Sequence, residues 1–355
     1  MNLFIFLIIL SILIIVHEFG HFIVARQSKV KVEKFAIGFG PVLFTIKGKN
    51  TDFVLCLFPL GGYVKMAGDN RPESKGLEHE FFSKTVLTRI KIVFAGPFFN
   101  YIFAFLLFWA IAVMGFPYIE PVVGKVKEGF PAQNYGIKEG DRVLSVNGKK
   151  VEHWLDMTQF IRESKKSVSL EIERQGEKIL LTVPLEKTEG GDEFGRKKSV
   201  SIIGIEASSR VKMVKYNLFQ GSLKALEAVY SLTVLTIKGF VFMISGTLSV
   251  KEAVTGPLGI YYITSETIKL GMVAILNLMA ILSVSLAIVN LIPLPLFDGG
   301  HILLFLIEKI RGKAVSEKID MLLTRIGIAI IGTIVLFVFY NDIVKFGSRI
   351  WGKWF

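Results

Sequence analysis

The chain has 355 residues, 52% of them hydrophobic, including 30 phenylalanines, and its mean hydropathy of +0.53 is too high for an ordinary water-soluble protein. Its single cysteine, Cys56, excludes an intrachain disulfide framework. The net charge of +12 comes without an aromatic-interleaved basic stripe, so no nucleic-acid partner is expected, and the excess reads as the cytoplasmic loop charge of a membrane protein.

Leu3–Ala25 is an almost unbroken apolar run, longer than the roughly 20 residues needed to cross a bilayer. It has no basic stretch before it, and cleavage would discard the motif it carries, so it reads as a retained span and not a signal peptide. That motif is His17-Glu18-Phe19-Gly20-His21, an HExxH run. On a helix the two histidines leave the same face with their Cβ atoms roughly 5–6 Å apart. Both imidazoles can then bind one tetrahedral Zn²⁺, with Glu18 beside it as a general base. The blander reading is a chance pair of histidines on a core helix. Ionisable groups inside an apolar span are costly to bury and functional by default, which favours the metal. Arg26, Lys29, Lys31 and Lys34 follow at once and put this end of the span in the cytoplasm. At 1.5 Å per residue His17 lies roughly 24 Å along the helix, in the cytoplasmic half of the bilayer.

Residues 30–66 hold two short β-rich runs, Phe35–Ile46 and Phe53–Leu60, around a polar turn, and end in Gly61-Gly62-Tyr63-Val64-Lys65-Met66. They read as a hairpin. It is oddly apolar for a cytoplasmic loop, and non-helical backbone is tolerated at membrane depth only where protein or a wet cavity surrounds it. The hairpin is therefore expected to dip toward the zinc; a soluble hairpin packing its apolar face on the helices is the alternative. Residues 67–89 read as a polar cytoplasmic linker with a solvated His79. A second span covers 90–115, contains Asn100 and is interrupted by Ala95-Gly96-Pro97, whose small residues suit close helix packing.

Residues 118–206 form a polar interlude of strands and short helices. Pro121-Val122-Val123-Gly124-Lys125-Val126, then Pro131–Gly148 with its Gly140-Asp141-Arg142-Val143-Leu144 and Val146-Asn147-Gly148, resemble the circularly permuted bacterial PDZ pattern. Such domains bind extended peptides by strand addition, and Ile203-Gly204-Ile205 is a candidate carboxylate loop. His153 reads as a surface residue. Residues 211–270 read as membrane-lying helices, 272–300 as a third span and 326–344 as a fourth. Parity demands the interfacial reading of 217–245, because one more crossing would separate Asp298 from His17. It leaves Lys345, Arg349 and Lys353 outside, a mild violation of the charge rule.

A catalytic zinc commonly takes three protein ligands. Asp298 follows Pro293 and Pro295, precedes Gly299 and Gly300, and matches the depth of the histidines. An ordinary turn residue is the other reading of Asp298, and His301 is a rival third ligand.

Taken together, HEFGH, Gly38-Phe39-Gly40-Pro41, Gly61–Met66, Ala95-Gly96-Pro97-Phe98-Phe99-Asn100, the single PDZ module and Asn290-x-x-Pro-x-Pro-x-x-Asp298-Gly resemble the site-2 proteases of the bacterial RseP type over nearly the whole length. The resemblance implies an α-helical membrane protein with four transmembrane helices, a re-entrant β-hairpin, membrane-lying helices and one inserted extracytoplasmic PDZ domain of α+β type. It implies Zn²⁺ on His17, His21 and Asp298, Glu18 as catalytic acid/base, and substrate held by Asn290 and by Gly61, Gly62 and Tyr63 of the hairpin. The expected activity is regulated intramembrane proteolysis in a bacterial cytoplasmic membrane, with the site toward the cytoplasmic leaflet. Expected substrates are single-span proteins such as anti-sigma factors, or remnant signal peptides, already trimmed by an upstream site-1 protease. A non-proteolytic PDZ adaptor and a surface-acting metalloprotease are the competing classes. The sequence departs from the two-PDZ form in having one module, and it has Phe297 before the aspartate where many members have leucine.

Overall fold

The computed structural model describes residues 2–191, 194 and 196–351 and divides into two compact units, Met1–Ile111 with Leu218–Phe355, and Ala112–Asn217. In the first unit, helix α1 (Asn2–Gln27) leads into strands β1 (Val32–Lys47) and β2 (Asp52–Met66), and then into α2 (Val86–Met114). The two strands are bent. Residues 34–37 pair with both 62–65 and 52–55, while 44–47 pair with 52–55, so two strands build four pairing segments. Among the described residues no strand pairs with the outer edge of 61–66. The linker is more ordered than its polarity suggests. Glu80 is buried and accepts bonds from the Ser74 hydroxyl and the Lys75, Gly76 and Leu77 N–H groups, and the His79 carbonyl accepts from Lys31 N–H.

The second unit runs β3 (Phe116–Ile119), β4 (Val123–Val126), α3 (Pro131–Asn134), β5 (Arg142–Val146), β6 (Lys149–Lys150), α4 (Trp154–Glu163), β7 (Ser167–Arg174), β8 (Glu177–Pro184), β9 (Glu186–Gly191), β10 (Lys197–Ile202), β11 (Ile205–Ala207) and β12 (Val211–Val214). Its largest sheet has the order β6-β5-β7-β8. Val168, Leu170 and Ile172 alternate inward along β7 and meet Val143, Val146, Met157 and Val183 in a core that water does not reach. Arg174 donates twice to the buried Asp141 carboxylate, at 2.7 and 2.8 Å. Residues 211–214, expected in a membrane-lying helix, instead form β12, which pairs with β3 and ties the unit's exit to its entrance. The β9–β10 hairpin, rich in Lys, Glu and Gly, was not expected at all.

The chain re-enters the first unit as α5 (Leu218–Ile244), α6 (Val250–Ala253), α7 (Pro257–Ile268), α8 (Met272–Asn290), α9 (Asp298–Arg311) and α10 (Glu317–Trp351). Five helices among the described residues are long and apolar enough to cross a membrane, against the expected four; the fifth is α5. In α5 and α10 only 6% of the apolar window is buried, against 28–33% in α1, α2 and α8, so the latter three form the packed centre. The expected third span over 272–300 ends at Asn290, because Pro293 and Pro295 cannot continue a helix; Asp298 opens the next one. The expected fourth span over 326–344 lies inside the longer α10. Lys353 and the side chain of Arg349 lie outside the described residues.

Two apolar clusters flank the level of His17. One joins Ile9 and Leu13 of α1 to Ala104 and Leu107 of α2 and to Met279, Ala280, Val284 and Ile288 of α8. The other joins Phe22 and Ala25 to the base of the hairpin, Phe81, Ile92 and Phe305 of α9. Beside the second cluster, Arg89 and Arg71 both bond Glu308 of α9, with Arg89 lying 4.7 Å over the Phe305 ring. The Arg89 hydrogen bond, helped by Arg71, holds the Glu308 carboxyl below the ordinary glutamate range. On α10, the fully buried Asp342 accepts from Gly256 N–H and Gly259 N–H at the start of α7, both at 2.9 Å.

Candidate metal centre

A membrane-spanning helix satisfies its backbone internally, so α1 can carry two histidines one turn apart without losing its ladder. Close approach of α2 surrounds them. Gly20 is what admits α2, since a Cβ there would stand 2.3 Å from the Ala95 carbonyl oxygen. Gly96 then makes room for the rings: its Cβ would lie 2.4 Å from His21 Nε2 and 2.8 Å from His17 Cε1. Pro97, inside α2, cannot donate to the carbonyl four residues back. One residue before that carbonyl, Ile92 O faces His21 Nδ1 at 2.9 Å. That bond puts the proton on Nδ1 and leaves a lone pair on Nε2.

Asp298 is delivered by the first turn of α9. The 291–297 turn folds so tightly over it that a Cβ at Gly299 would meet Leu291 O at 2.2 Å, and one at Gly300 would meet Leu294 O at 2.1 Å. Leu296 takes φ +77, a left-handed conformation costing a leucine on the order of 1–3 kcal/mol. The turn therefore has few other ways to lie.

Three atoms meet at the centre. His17 Nε2 is 3.2 Å from His21 Nε2 and 3.1 Å from Asp298 Oδ2, and His21 Nε2 is 3.6 Å from the same oxygen. Asp298 Oδ2 is buried and without a hydrogen-bond donor. With both Nε2 atoms unprotonated, three lone pairs converge on one point that a cation could occupy. Four ligands at about 2.0–2.1 Å from a tetrahedral Zn²⁺ are about 3.3–3.4 Å apart, and the three separations bracket that edge. His17, His21 and Asp298 thus fit one such ion and leave a fourth position open. His301, the rival ligand, is exposed, lies with its ring tilted 6.4 Å from that of Phe305 and is not in the group.

Glu18 is half-buried beside the histidines. A Cβ at Gly62 would lie 3.3 Å from Glu18 Cγ, so segment 61–66 is laid directly against the HExxH turn. Tyr63 stacks on Phe39 at 6.3 Å, and Gly61, at φ +149, leaves the space that the Phe39 ring occupies. Asn290, the last residue of α8, has Nδ2 3.5 Å from His17 Nδ1, and Asn100 of α2 has its Nδ2 3.4 Å from the same nitrogen. Of the expected site residues, His21, Asp298 and Asn290 gather around His17, Gly62 lies against Glu18, and Gly61 and Tyr63 contact Phe39. Ile92, Gly96 and Asn100 had not been assigned there; an asparagine inside an apolar span was the one available signal.

The model of Peptidase family M50 matches residues 5–334. The chain belongs to peptidase family M50. Among its M50-type relatives, putative zinc metalloprotease Cj1068 of Campylobacter jejuni is 34% identical, over 98% of this chain and 93% of that one. Regulator of sigma-E protease RseP of Escherichia coli is 30% identical, over 95% of this chain and 97% of its own length. Zinc metalloprotease RasP of Bacillus licheniformis is 30% identical, over 96% and 98%. As an M50 peptidase the chain is a metalloprotease of the site-2 type, with helices able to span a membrane. A solved PDZ domain, from the SdrC-like protein of Listeria monocytogenes, aligns with 25% of the chain and 88% of that domain at 20% identity and a TM-score of 0.21.

Proposed function

We propose that this M50 member hydrolyses a peptide bond inside the transmembrane segment of single-span membrane proteins, with His17, His21 and Asp298 as zinc ligands and Glu18 as acid/base. The convergence of three lone-pair atoms beside Glu18, next to an unpaired strand edge, carries the reading. A helical substrate hides its carbonyls in i→i−4 bonds and must unwind before attack. The outer edge of Gly61–Met66 offers replacement bonds to the unwound segment by strand addition. Bound Zn²⁺ supplies Lewis acidity, polarising the scissile carbonyl and lowering the pKa of water toward ~7. Glu18 takes the proton from the attacking water and returns it to the leaving amine. Asn290, half-buried at the mouth of the cluster, donates to the substrate backbone.

Four crossings with an interfacial α5 keep the site toward the cytoplasmic leaflet and unit 2 on the other side of a bacterial cytoplasmic membrane. Cysteines at Lys31 and Lys313 should then label from the cytoplasm and one at Lys149 from outside; a shared side for Lys149 and Lys313 would require another crossing. Unit 2 we read as a PDZ domain that admits substrates only after a first protease has trimmed them. Substrates of anti-sigma-factor type, or remnant signal peptides, fit this scheme, and the Escherichia coli relative is named a regulator of sigma-E. Replacing 120–206 by a flexible linker should keep zinc and allow untrimmed substrates to be cut. Loss of cutting on trimmed substrates would make the domain a recruiter. The decisive experiment pairs zinc analysis with cleavage of a model transmembrane substrate, for the wild type and His17→Ala, His21→Ala and Asp298→Ala. Zinc at one per chain in the wild type, lost with activity in all three variants, is expected; zinc retained in Asp298→Ala would break the assignment.

A further inference from the structure

Two asparagine amides converge on the Nδ1 nitrogen of His17, which has a single proton to give. We infer that Asn100 is the positioning residue that takes this proton's hydrogen bond through its side-chain oxygen, fixing His17 in the tautomer that turns Nε2 toward Asp298 and His21, and so leaving Asn290 free for substrate. The inference rests on the zinc assignment above.

Asn100 is fully buried in the middle of α2, and its Oδ1 has no hydrogen-bond partner. Its Nδ2 stands 3.4 Å from His17 Nδ1. A ligating Nε2 requires the other ring nitrogen to carry the hydrogen, so Nδ1 is then a donor. Two donors facing each other make no bond. Turning the amide about its last torsion exchanges oxygen and NH₂ in nearly the same space. The partnerless oxygen then meets the Nδ1 hydrogen; one bond is gained, and of the two ends of the amide only the amino group stays without a partner.

Asn290 also reaches Nδ1, at 3.5 Å, but it is half-buried and ends its helix. Asn100 is the better anchored of the two. Its own carbonyl accepts from the buried Ser283 hydroxyl of α8 at 2.8 Å, which fastens α2 at this level to the helix that ends in Asn290. A single helix thereby orients both rings: Ile92 O holds His21 from one side of Gly96, and Asn100 holds His17 from the other.

The test is zinc affinity, measured by competition with a chromophoric chelator on the purified full-length protein. Asn100→Leu, close in volume and without an acceptor, should weaken zinc binding about 10–100-fold, the usual cost of losing a partner of this kind. Asn100→Asp keeps an oxygen in place and should stay within a few-fold of wild type. Asn290→Leu should also keep zinc affinity while raising KM for substrate. Wild-type affinity in folded Asn100→Leu overturns the inference, as does an Asn100→Asp as weak as Asn100→Leu, or a loss confined to Asn290→Leu. Whatever the variants' folding, ¹⁵N-imidazole spectra of the zinc-loaded wild type should show His17 protonated on Nδ1 with slow proton exchange. Protonation on Nε2, or fast exchange, overturns it too. Zinc retained in His17→Ala would instead sink the underlying ligand assignment, a separate result.

Discussion

The chain builds two β-regions by opposite rules. In the sheet β6-β5-β7-β8, apolar side chains turn inward to a dry core and the other face carries Glu, Lys and Ser. In the β1–β2 hairpin, Phe39, Val42, Leu43, Phe44, Ile46 and Phe58 are exposed, while Ala36, Val54 and Cys56 form a small buried cluster and Val32, Phe35 and Met66 at the base pack into the cluster around Phe22. Unit 2 is a fold for water, stabilised by what it hides. The hairpin is held by its pairing and by α1, and what it offers is a surface and a free edge. A soluble domain leaving so many large apolar side chains in water would aggregate; under the function proposed above they would face lipid or substrate.

Substitutions can separate the two. Glu18→Gln removes the proposed acid/base next to the hairpin edge and should lower turnover about a thousandfold with zinc retained; metal content and single-turnover cleavage measured on one sample decide it. Leu170→Ala empties a fully buried position in β7 and should cost unit 2 about 2–5 kcal/mol, visible as faster hydrogen exchange there, while zinc content does not move. Gly62→Val, forced against Ala36 O and Glu18, should displace the edge and reduce cleavage roughly a hundredfold at unchanged zinc. If it instead weakened zinc and left cleavage alone, the edge would have no part in substrate handling. Phe44→Lys should leave the fold in detergent intact and weaken function only in bilayers, by the ~2–3.5 kcal/mol of placing a charge at depth.

The smallest effect is one of pH. Because Arg89 and Arg71 hold the Glu308 carboxyl low, their contribution is complete above the ordinary glutamate pKa and is lost as pH falls through the lowered one. Acid should therefore loosen α9 from the linker, and Glu308→Gln should flatten that part of the melting-temperature profile. An unchanged acid limb in Glu308→Gln would place the sensitivity elsewhere.

The proposed ligands are legible in the sequence, HExxH by spacing and Asp298 by a depth matching the histidines, since its proline and glycine neighbours alone suit an ordinary turn equally well. Their partners are not. Ile92 contributes a backbone oxygen, which has no side-chain signature, and Gly96 acts through the atom it lacks. The end of α8 at Asn290 was blurred because an apolar sequence continues through Ile292 and Leu294, and only the prolines mark the break. Strand β12 was missed since Val211-Lys212-Met213-Val214 is too short to show a period, and its partner β3 lies some ninety residues earlier. The doubling back of the hairpin depends on pairing between segments that no periodicity reveals.

Asp342 bears on how such a chain is assembled at the ribosome. The two N–H groups it receives, at Gly256 and Gly259, belong to backbone made more than eighty residues earlier. Until the last helix emerges and docks, those donors have no carboxylate to meet, and each unpaired buried group costs about 1–3 kcal/mol. The beginning of α7 is thus settled only once synthesis has passed residue 342. A product truncated before Asp342 would carry that defect for good.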